Sequence, residues 1–147
     1  MLVRAGVVSL VLGLGCASVA LGGARTGRQY NGPVGAGANN AGVEFGTKLV
    51  KGRPTLVRRF EFHNVPAACK GSAGTAVSDP LTITMKIDGN RTFHGSESLN
   101  GGRVKVQVSG SFSKSFAKAS GTLRARGDVP GCGSADTGIL HWKAPRL

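Results

Sequence analysis

Apolar and polar residues alternate with a period of two over much of the chain after residue 42. In residues 81–87 and 104–112, every second position is apolar or glycine and the positions between are polar or charged. This alternation is typical of a strand with one buried face. The same pattern predicts strands at residues 43–49, 55–63, 91–94, 117–125 and 137–143. No segment has the 3.6-residue period of an amphipathic helix.

Turn residues separate these seven predicted strands, and Asp88-Gly89-Asn90 predicts a hairpin turn. Short strands with glycine-rich connections favour an all-β fold, either a single antiparallel β-sandwich or a small β-barrel. Ala117, Ala119 and Gly121 form a row of small inward residues, which predicts that strands or sheets approach closely there.

Arg58 and Arg59 interrupt the alternation inside the predicted strand 55–63. A β-bulge at this point would place Val57, Phe60 and Phe62 on one inward face. Without the bulge, Arg58 would point into the core and would need a carboxylate partner. The sequence leaves both alternatives open.

The N-terminal residues have the three parts of an export signal. Arg4 is the charged region, residues 7–14 are the apolar region, and residues 17–20 are small, as signal peptidase requires. We expect a signal peptide of residues 1–20, with cleavage after Ala20 or after Ala24, and a secreted, extracytoplasmic protein. Two alternatives stay open, both giving a membrane-tethered protein: acylation of Cys16, and retention of the apolar segment as an anchor.

The segment after the signal is rich in glycine and has little to bury. We predict that residues 21–42 form a flexible leader and that residues 43–147 form one β domain. Removal of the signal also leaves two cysteines, Cys69 and Cys132. In an oxidising compartment this pair predicts a structural disulfide, because no CxxC motif or histidine cluster accompanies it. No metal site and no cofactor are expected.

Charge is the second strong signal in the sequence. The chain has 19 Lys and Arg against 7 Asp and Glu, a net charge of +12. Such an excess attracts anionic polymers and surfaces. Aromatic residues are too few and scattered to predict stacking on nucleic acid, so specific nucleic-acid binding is not expected. The sequence pattern predicts no basic amphipathic helix, so membrane contact would be peripheral at most.

The basic residues of two predicted strands lie close together if the strands form a hairpin around residues 113–116. The register that keeps both apolar rows inward then places Lys105 opposite Arg124 and Arg103 opposite Arg126. Like charges across strands are destabilising, and such conflicts mark candidate binding sites. The predicted anion-binding strip is Arg103, Lys105, Lys118, Arg124 and Arg126. The alternative is an ordinary hydrated basic surface.

Three segments carry a resemblance: RRFEFHNVPAAC, GSFSKSFAKASGTLRARG and CGSADTGILHWKA. They resemble a group of small, uncharacterised exported bacterial proteins that have one disulfide and a C-terminal Trp-x-Ala strand. The resemblance implies a β fold and a bacterial source, and it implies no activity and no site residues.

Catalytic signatures such as a G-x-S-x-G elbow or an H-E-x-x-H helix do not occur in the sequence. We therefore expect a non-enzymatic binding or structural protein of the cell exterior, contacting an anionic envelope polymer or polysaccharide through the basic strip. A small-ligand carrier with an apolar barrel cavity is the alternative. A hydrolase, for example one built on His94, Ser96 and Glu97, is the third hypothesis. The sequence does not determine the oligomeric state.

Overall fold

A computed structural model describes residues 27–71 and 73–147 of the chain. The predicted export signal, including Cys16 and both cleavage positions, lies outside the described residues. Within the described ranges, no helix is long and apolar enough to cross a membrane. Ten strands form one antiparallel sheet, which confirms the predicted all-β class, but the sheet is not closed into a barrel.

The strands follow one another along the chain, and a short 3-10 turn at Ala38–Asn40 joins the first two. Their bounds are β1 (Gln29–Pro33), β2 (Gly42–Val50), β3 (Arg53–Cys69), β4 (Thr75–Pro80), β5 (Met85–Lys86), β6 (Thr92–Leu99), β7 (Val104–Phe112), β8 (Lys118–Val129), β9 (Gly133–Asp136) and β10 (Leu140–Pro145). The main order is β1-β2-β3-β9-β8-β7-β6. Strands β4 and β5 pair with β3, and β10 pairs with β8.

The sheet folds over so that β1 to β5 face β6 to β10 across one core. The two halves are joined where the end of β3 pairs with β9, and also where β1 and residue 34 lie beside β10 through the bridges of Tyr30 with Arg146 and Val34 with Trp142. At the centre, the Phe45 ring stacks on Tyr30 and Phe60 at centroid distances of 5.0 and 5.4 Å and meets Trp142 edge-on at 5.7 Å. All four rings are at most 1% exposed. Burial of large aromatic side chains is the main stabilising contribution of such a core.

Of the two alternatives at the arginine pair, the structure has the bulge. Residues 59 and 60 of β3 lie opposite Phe45 of β2 alone, because the register shifts between Glu44 and Gly46. Arg59 has a positive φ of 49°. With the bulge in place, Val57, Phe60 and Phe62 are all buried. The bulge lets an interrupted pattern keep a continuous inward face.

A second irregularity explains why β3 extends to Cys69, beyond its predicted end at residue 63. The register of β3 against β4 shifts between Phe62 and Val65. Asn64 has a positive φ of 52°, and its N–H donates to Ser78 Oγ at 2.8 Å. The shift returns Val65 to the inward face, so the strand continues through a break in the alternation.

The predicted leader is wrong for residues 29–42, where the chain enters the sheet. Strand β1 pairs with β2 along its whole length, and Tyr30 is fully buried. Gly32 lies so close to β10 that a Cβ would stand 1.8 Å from the carbonyl oxygen of Lys143. The glycine there allows close strand packing, whereas the sequence suggested flexibility.

The predicted strand 81–87 is also corrected, because only Met85–Lys86 forms a ladder with β3. The flanking Leu81 and Ile87 are buried, and each donates one backbone hydrogen bond to β3. The carboxylate of Glu97 accepts hydrogen bonds from Thr82, including one from its backbone N–H at 2.8 Å. The alternation in residues 81–87 therefore indicated burial correctly, but the segment is connected to β6 by the Glu97 side chain and not by strand pairing.

The predicted disulfide is confirmed. Cys69 and Cys132 are bonded, with their Cα atoms 5.2 Å apart. The bond ties the end of β3 to the turn between β8 and β9, beside a small cluster that contains Ala67 and Ala135. Strands β1, β4 and β9 are the three that the sequence pattern did not predict.

Candidate anion-binding face

The β7–β8 hairpin has a register that differs by two residues from the prediction. Phe112 lies opposite Ala119, and the connecting loop is longer than residues 113–116. Phe116 requires the extra length, since it has a positive φ of 57° and its ring packs on Phe112. Its carbonyl oxygen also accepts the hydroxyl of Tyr30 at 2.8 Å. The loop is thus anchored to β1, a strand that the sequence analysis did not place in the fold.

The corrected register changes the predicted strip. Lys105 lies opposite Arg126, with both side chains exposed, whereas Arg124 lies opposite Gln107. Arg103 precedes β7, and its carbonyl oxygen accepts the N–H of Asp128. Two of the five predicted cations are therefore directly paired across strands. Lys118 stands at the far end of β8, about 25 Å along the strand from Arg126.

Arg124 is engaged by a carboxylate. Its Nε and Nη2 donate to Asp136 at 3.1 and 2.6 Å, and Asp136 also accepts the backbone N–H of Gly138. These hydrogen bonds, with that from Arg124 the largest cause, lower the pKa of Asp136 to about 2, and the same pairing raises the pKa of Arg124. The side chains are 35% and 42% exposed, so the pair lies at the surface. Arg124 is a less available cation than Lys105 or Arg126.

The corrected register also brings together polar residues that the sequence analysis did not group. Ser109 of β7 lies opposite Thr122 of β8, and Thr122 lies opposite His141 of β10. On the other side, Ser109 lies opposite His94 of β6. The next row toward the β7–β8 loop is also made of polar residues from β6, β7, β8 and β10. It consists of Thr92, Ser111, Ser120 and Lys143.

We call these two rows the outer trough. Its floor consists of the short hydroxyl side chains of β7 and β8, and its sides carry His94 and His141. Ser109 Oγ and Thr122 Oγ1 are hydrogen-bonded at 2.8 Å. Two open grooves of about 420 and 510 Å³ run along it and share His94, Ser109 and Thr122 in their linings. Short residues between longer ones produce this concave, hydroxyl-lined surface.

The floor is supported from inside by two glycines and one ring. Gly110 and Gly121 lie opposite each other, and a Cβ on either would approach Trp142 Cζ2 to within 2.8 Å. The predicted close approach is thus real at Gly121 and at the buried Ala119. Ala117, however, is exposed in the loop and does not belong to the inward row. A rigid indole beneath the floor fixes the positions of the hydroxyl groups above it.

Cations stand at both ends of the outer trough. Lys143 and Lys118 lie toward the β7–β8 loop, and Lys105 and Arg126 lie toward the other end. Ser120 and Arg126 are six positions apart, which corresponds to about 20 Å of strand. Glu97, the acid of β6, is turned toward Thr82 and away from His94 and Ser96, so these three residues do not converge as the hydrolase hypothesis requires.

The two histidines cannot share a metal ion. They lie on β6 and β10, three strand spacings apart, which corresponds to about 14 Å. More generally, no group of three or more His, Cys, Asp or Glu side chains in the described part of the chain is placed to hold a metal. The chemistry of the trough is that of hydroxyl, imidazole, ammonium and guanidinium groups.

No protein-family model, curated protein or solved structure matches the chain. The resemblance to small exported bacterial proteins therefore stays a prediction.

A sequence signal for the trough does exist. Residues 109–111 read Ser-Gly-Ser and residues 120–122 read Ser-Gly-Thr. In the observed register these two motifs lie directly opposite each other, with glycine against glycine and hydroxyl against hydroxyl. Matching the two motifs would have given the correct register, whereas the apolar alternation accepts any shift by two.

Proposed function

We propose that the protein is a secreted, non-enzymatic binding protein that holds an anionic polymer of the cell exterior along the outer trough. The polymer would carry phosphate or carboxylate groups on a backbone rich in hydroxyl groups. The observation that carries the proposal is a concave row of hydroxyl and imidazole groups with exposed cations at both ends, about 20 Å apart.

The chemistry of the trough suits such a ligand. Ser and Thr hydroxyls both donate and accept hydrogen bonds, which fits alternating anionic and hydroxyl groups on a polymer. Lys105 and Arg126 would form charge-assisted hydrogen bonds with phosphate or carboxylate. Their placement opposite each other costs a few tenths of a kcal/mol in the free protein, and a bound anion relieves this repulsion.

No observation favours the small-ligand carrier. That alternative needs an apolar cavity behind the small inward residues. The space inside Gly110 and Gly121 is occupied by Trp142, which packs against Phe45 and Phe60. The open grooves are on the outside of the sheet, and they are lined by hydroxyl and imidazole groups together with apolar residues such as Val108, Leu123 and Ile139.

The proposal is tested with long-chain polyphosphate and polygalacturonate as probes, at low and moderate salt. The double variant Lys105→Gln/Arg126→Gln is expected to lose affinity by about tenfold or more, since two phosphate contacts disappear. The matched control Lys70→Gln/Lys86→Gln removes the same charge from exposed positions away from the trough and is expected to bind nearly as the parent does. Equal losses in both variants would show nonspecific attraction to net charge.

A variant in the opposite direction makes the test sharper. Asp136→Asn removes the carboxylate that engages Arg124 and leaves the guanidinium available beside Lys105 and Arg126. We expect tighter polyphosphate binding, by a few-fold, with a steeper dependence on salt. Unchanged or weaker binding would mean that the ligand does not reach this end of the trough.

A further inference from the structure

Five chain segments meet at one end of the sheet. Arg28 connects several of them: its carbonyl accepts the N–H of Thr47, its Nη2 donates to Gly52 at 3.3 Å, and its guanidinium lies 5.8 Å from the Phe116 ring centroid. The N–H of Phe112 donates to Arg91, and that of Arg146 to Ala117. We call this surface the basic end. It comprises residues 27–28, 48–53, 87–91, 113–118 and 146–147.

The basic end is strongly cationic. It carries eight basic side chains, Arg28, Lys48, Lys51, Arg53, Arg91, Lys114, Lys118 and Arg146. Asp88 is the single acidic side chain in these segments, and its carboxylate is occupied by the N–H groups of Asn90 and Thr92 and the hydroxyl of Thr92. These hydrogen bonds lower the pKa of Asp88. The surface therefore attracts anions with little internal compensation.

Exposed apolar side chains lie on the same surface. Leu49 and Val50, at the tip of the β2–β3 hairpin, are 38% and 48% exposed, and Leu147 is 76% exposed. Ile139 is the fourth large exposed hydrophobic residue among those described, and it lies beside a groove of the outer trough. At the hairpin tip, the two apolar residues are flanked by Lys48, Lys51 and Arg53.

We infer that the basic end docks on the surface of a bilayer that contains anionic lipids, with the β2–β3 hairpin tip entering the headgroup region. Cations at the rim would pair with lipid phosphates while Leu49 and Val50 reach the acyl boundary. Combined apolar and basic contacts are what peripheral membrane attachment requires, and a short hairpin provides both without an amphipathic helix. The described chain also enters the fold on this surface, at residues 27–28.

The charge contribution is tested by flotation with vesicles of phosphatidylcholine containing about one third phosphatidylglycerol, and with vesicles of phosphatidylcholine alone. All variants carry the same N-terminal residues, so any effect of residues 1–26 is common to them. Lys51→Gln/Arg53→Gln is expected to weaken binding to the anionic vesicles roughly 30-fold. Lys105→Gln/Arg126→Gln removes the same charge from the outer trough and is expected to leave vesicle binding almost unchanged.

The apolar contribution is tested by Leu49→Ser/Val50→Ser. We expect roughly tenfold weaker binding to the anionic vesicles, since the apolar contact is lost while the charge is kept. Ile139→Ser is the matched control, because it removes an even more exposed apolar side chain from another surface. Thermal unfolding of each variant verifies that the fold is retained.

Three results would contradict docking of the basic end on a membrane. Equal binding to neutral and anionic vesicles, or equal losses in the two charge variants, would overturn it. A third result would also overturn it: Leu49→Ser/Val50→Ser binds vesicles as the parent does, and Lys51→Gln/Arg53→Gln weakens polyphosphate binding as much as vesicle binding. The basic end would then be a site for soluble polyanions. Failure of polymer binding at the trough would leave the vesicle result standing, so the two proposals fail separately.

Discussion

The disulfide end and the basic end of the sheet hold their chain segments together by different means. At the first, the Cys69–Cys132 bond joins β3 to the β8–β9 turn, and β3 pairs with β9 beside it. At the second, backbone hydrogen bonds join the segments, and the Arg28 side chain adds one exposed hydrogen bond and a ring contact. The covalent bond secures the fold at one end, while the other keeps its cations and its apolar hairpin tip exposed.

Removing the disulfide has the largest expected effect. The bond closes a loop with a sequence separation of 63 residues. Chain-entropy reasoning gives a loss of about 4 kcal/mol in the free energy of unfolding for Cys69→Ser/Cys132→Ser. Urea titration measures the loss. A difference below about 1 kcal/mol would contradict the view that this end secures the fold.

Adding a methyl group is expected to affect stability differently in the tightly packed sheet and at the open basic end. In Gly121→Ala, the new Cβ would stand 1.9 Å from the carbonyl oxygen of Ser109, so β7 and β8 must move apart. We expect a loss of about 1–3 kcal/mol. Gly89→Ala, in the β5–β6 turn, meets no atom within 4 Å and is expected to change stability by less than about 0.5 kcal/mol. Similar losses of stability in Gly121→Ala and Gly89→Ala would contradict the difference in packing between the two regions.

Arg28→Ala tests the weaker connection of the basic end. Loss of the contacts with Gly52 and Phe116 is expected to cost about 0.5–1 kcal/mol. Amide hydrogen exchange is the appropriate measurement, because local opening of residues 48–53 is expected to increase while β7 and β8 stay protected. Uniform loss of protection across the sheet would show that Arg28 supports the whole fold.

The ion pair of Arg124 and Asp136 has the smallest expected effect on stability, because it is exposed. The pKa of Asp136 in the folded protein is lowered to about 2. The pair therefore stabilises the fold above the ordinary carboxyl pKa, and this stabilisation is lost as the pH falls from about 4 to about 2. In Asp136→Asn, the melting temperature is expected to decline less over that interval. Identical declines would show that the pair does not contribute.

The sequence predicted the class of the fold because alternation records which side of a strand is buried. It identified β2, β7 and the core of β3, and it gave the bulge at Arg58 and Arg59 as one of two alternatives. It missed β1 because Tyr30 is the single large side chain in a glycine-rich segment, and β9 because Gly133–Asp136 is short. The β7–β8 register predicted from the sequence differs by two residues from the observed one. The hydrogen bond of Tyr30 to Phe116 that anchors the loop is a contact between distant parts of the chain, which alternation within a strand does not reveal.

The candidate site could be predicted only in part, for the same reason. Lys105 and Arg126 were identified as outward cations, and they do lie side by side. The engagement of Arg124 by Asp136 and the row from His94 to His141 depend on β9 and β10 pairing with β8. Alternation within one strand carries no information about which strands are neighbours.

The most direct test of the account is the salt dependence of polyphosphate binding by the parent protein and by Lys105→Gln/Arg126→Gln. Each phosphate contact that releases a counterion contributes roughly 0.7–0.9 to the slope of log K against log salt concentration for nucleic acids, and we expect a similar contribution here. We expect the Lys105→Gln/Arg126→Gln variant to have a slope smaller by about one to two units, while Lys70→Gln/Lys86→Gln keeps the parent slope. Equal slopes for the parent and the trough variant would contradict it.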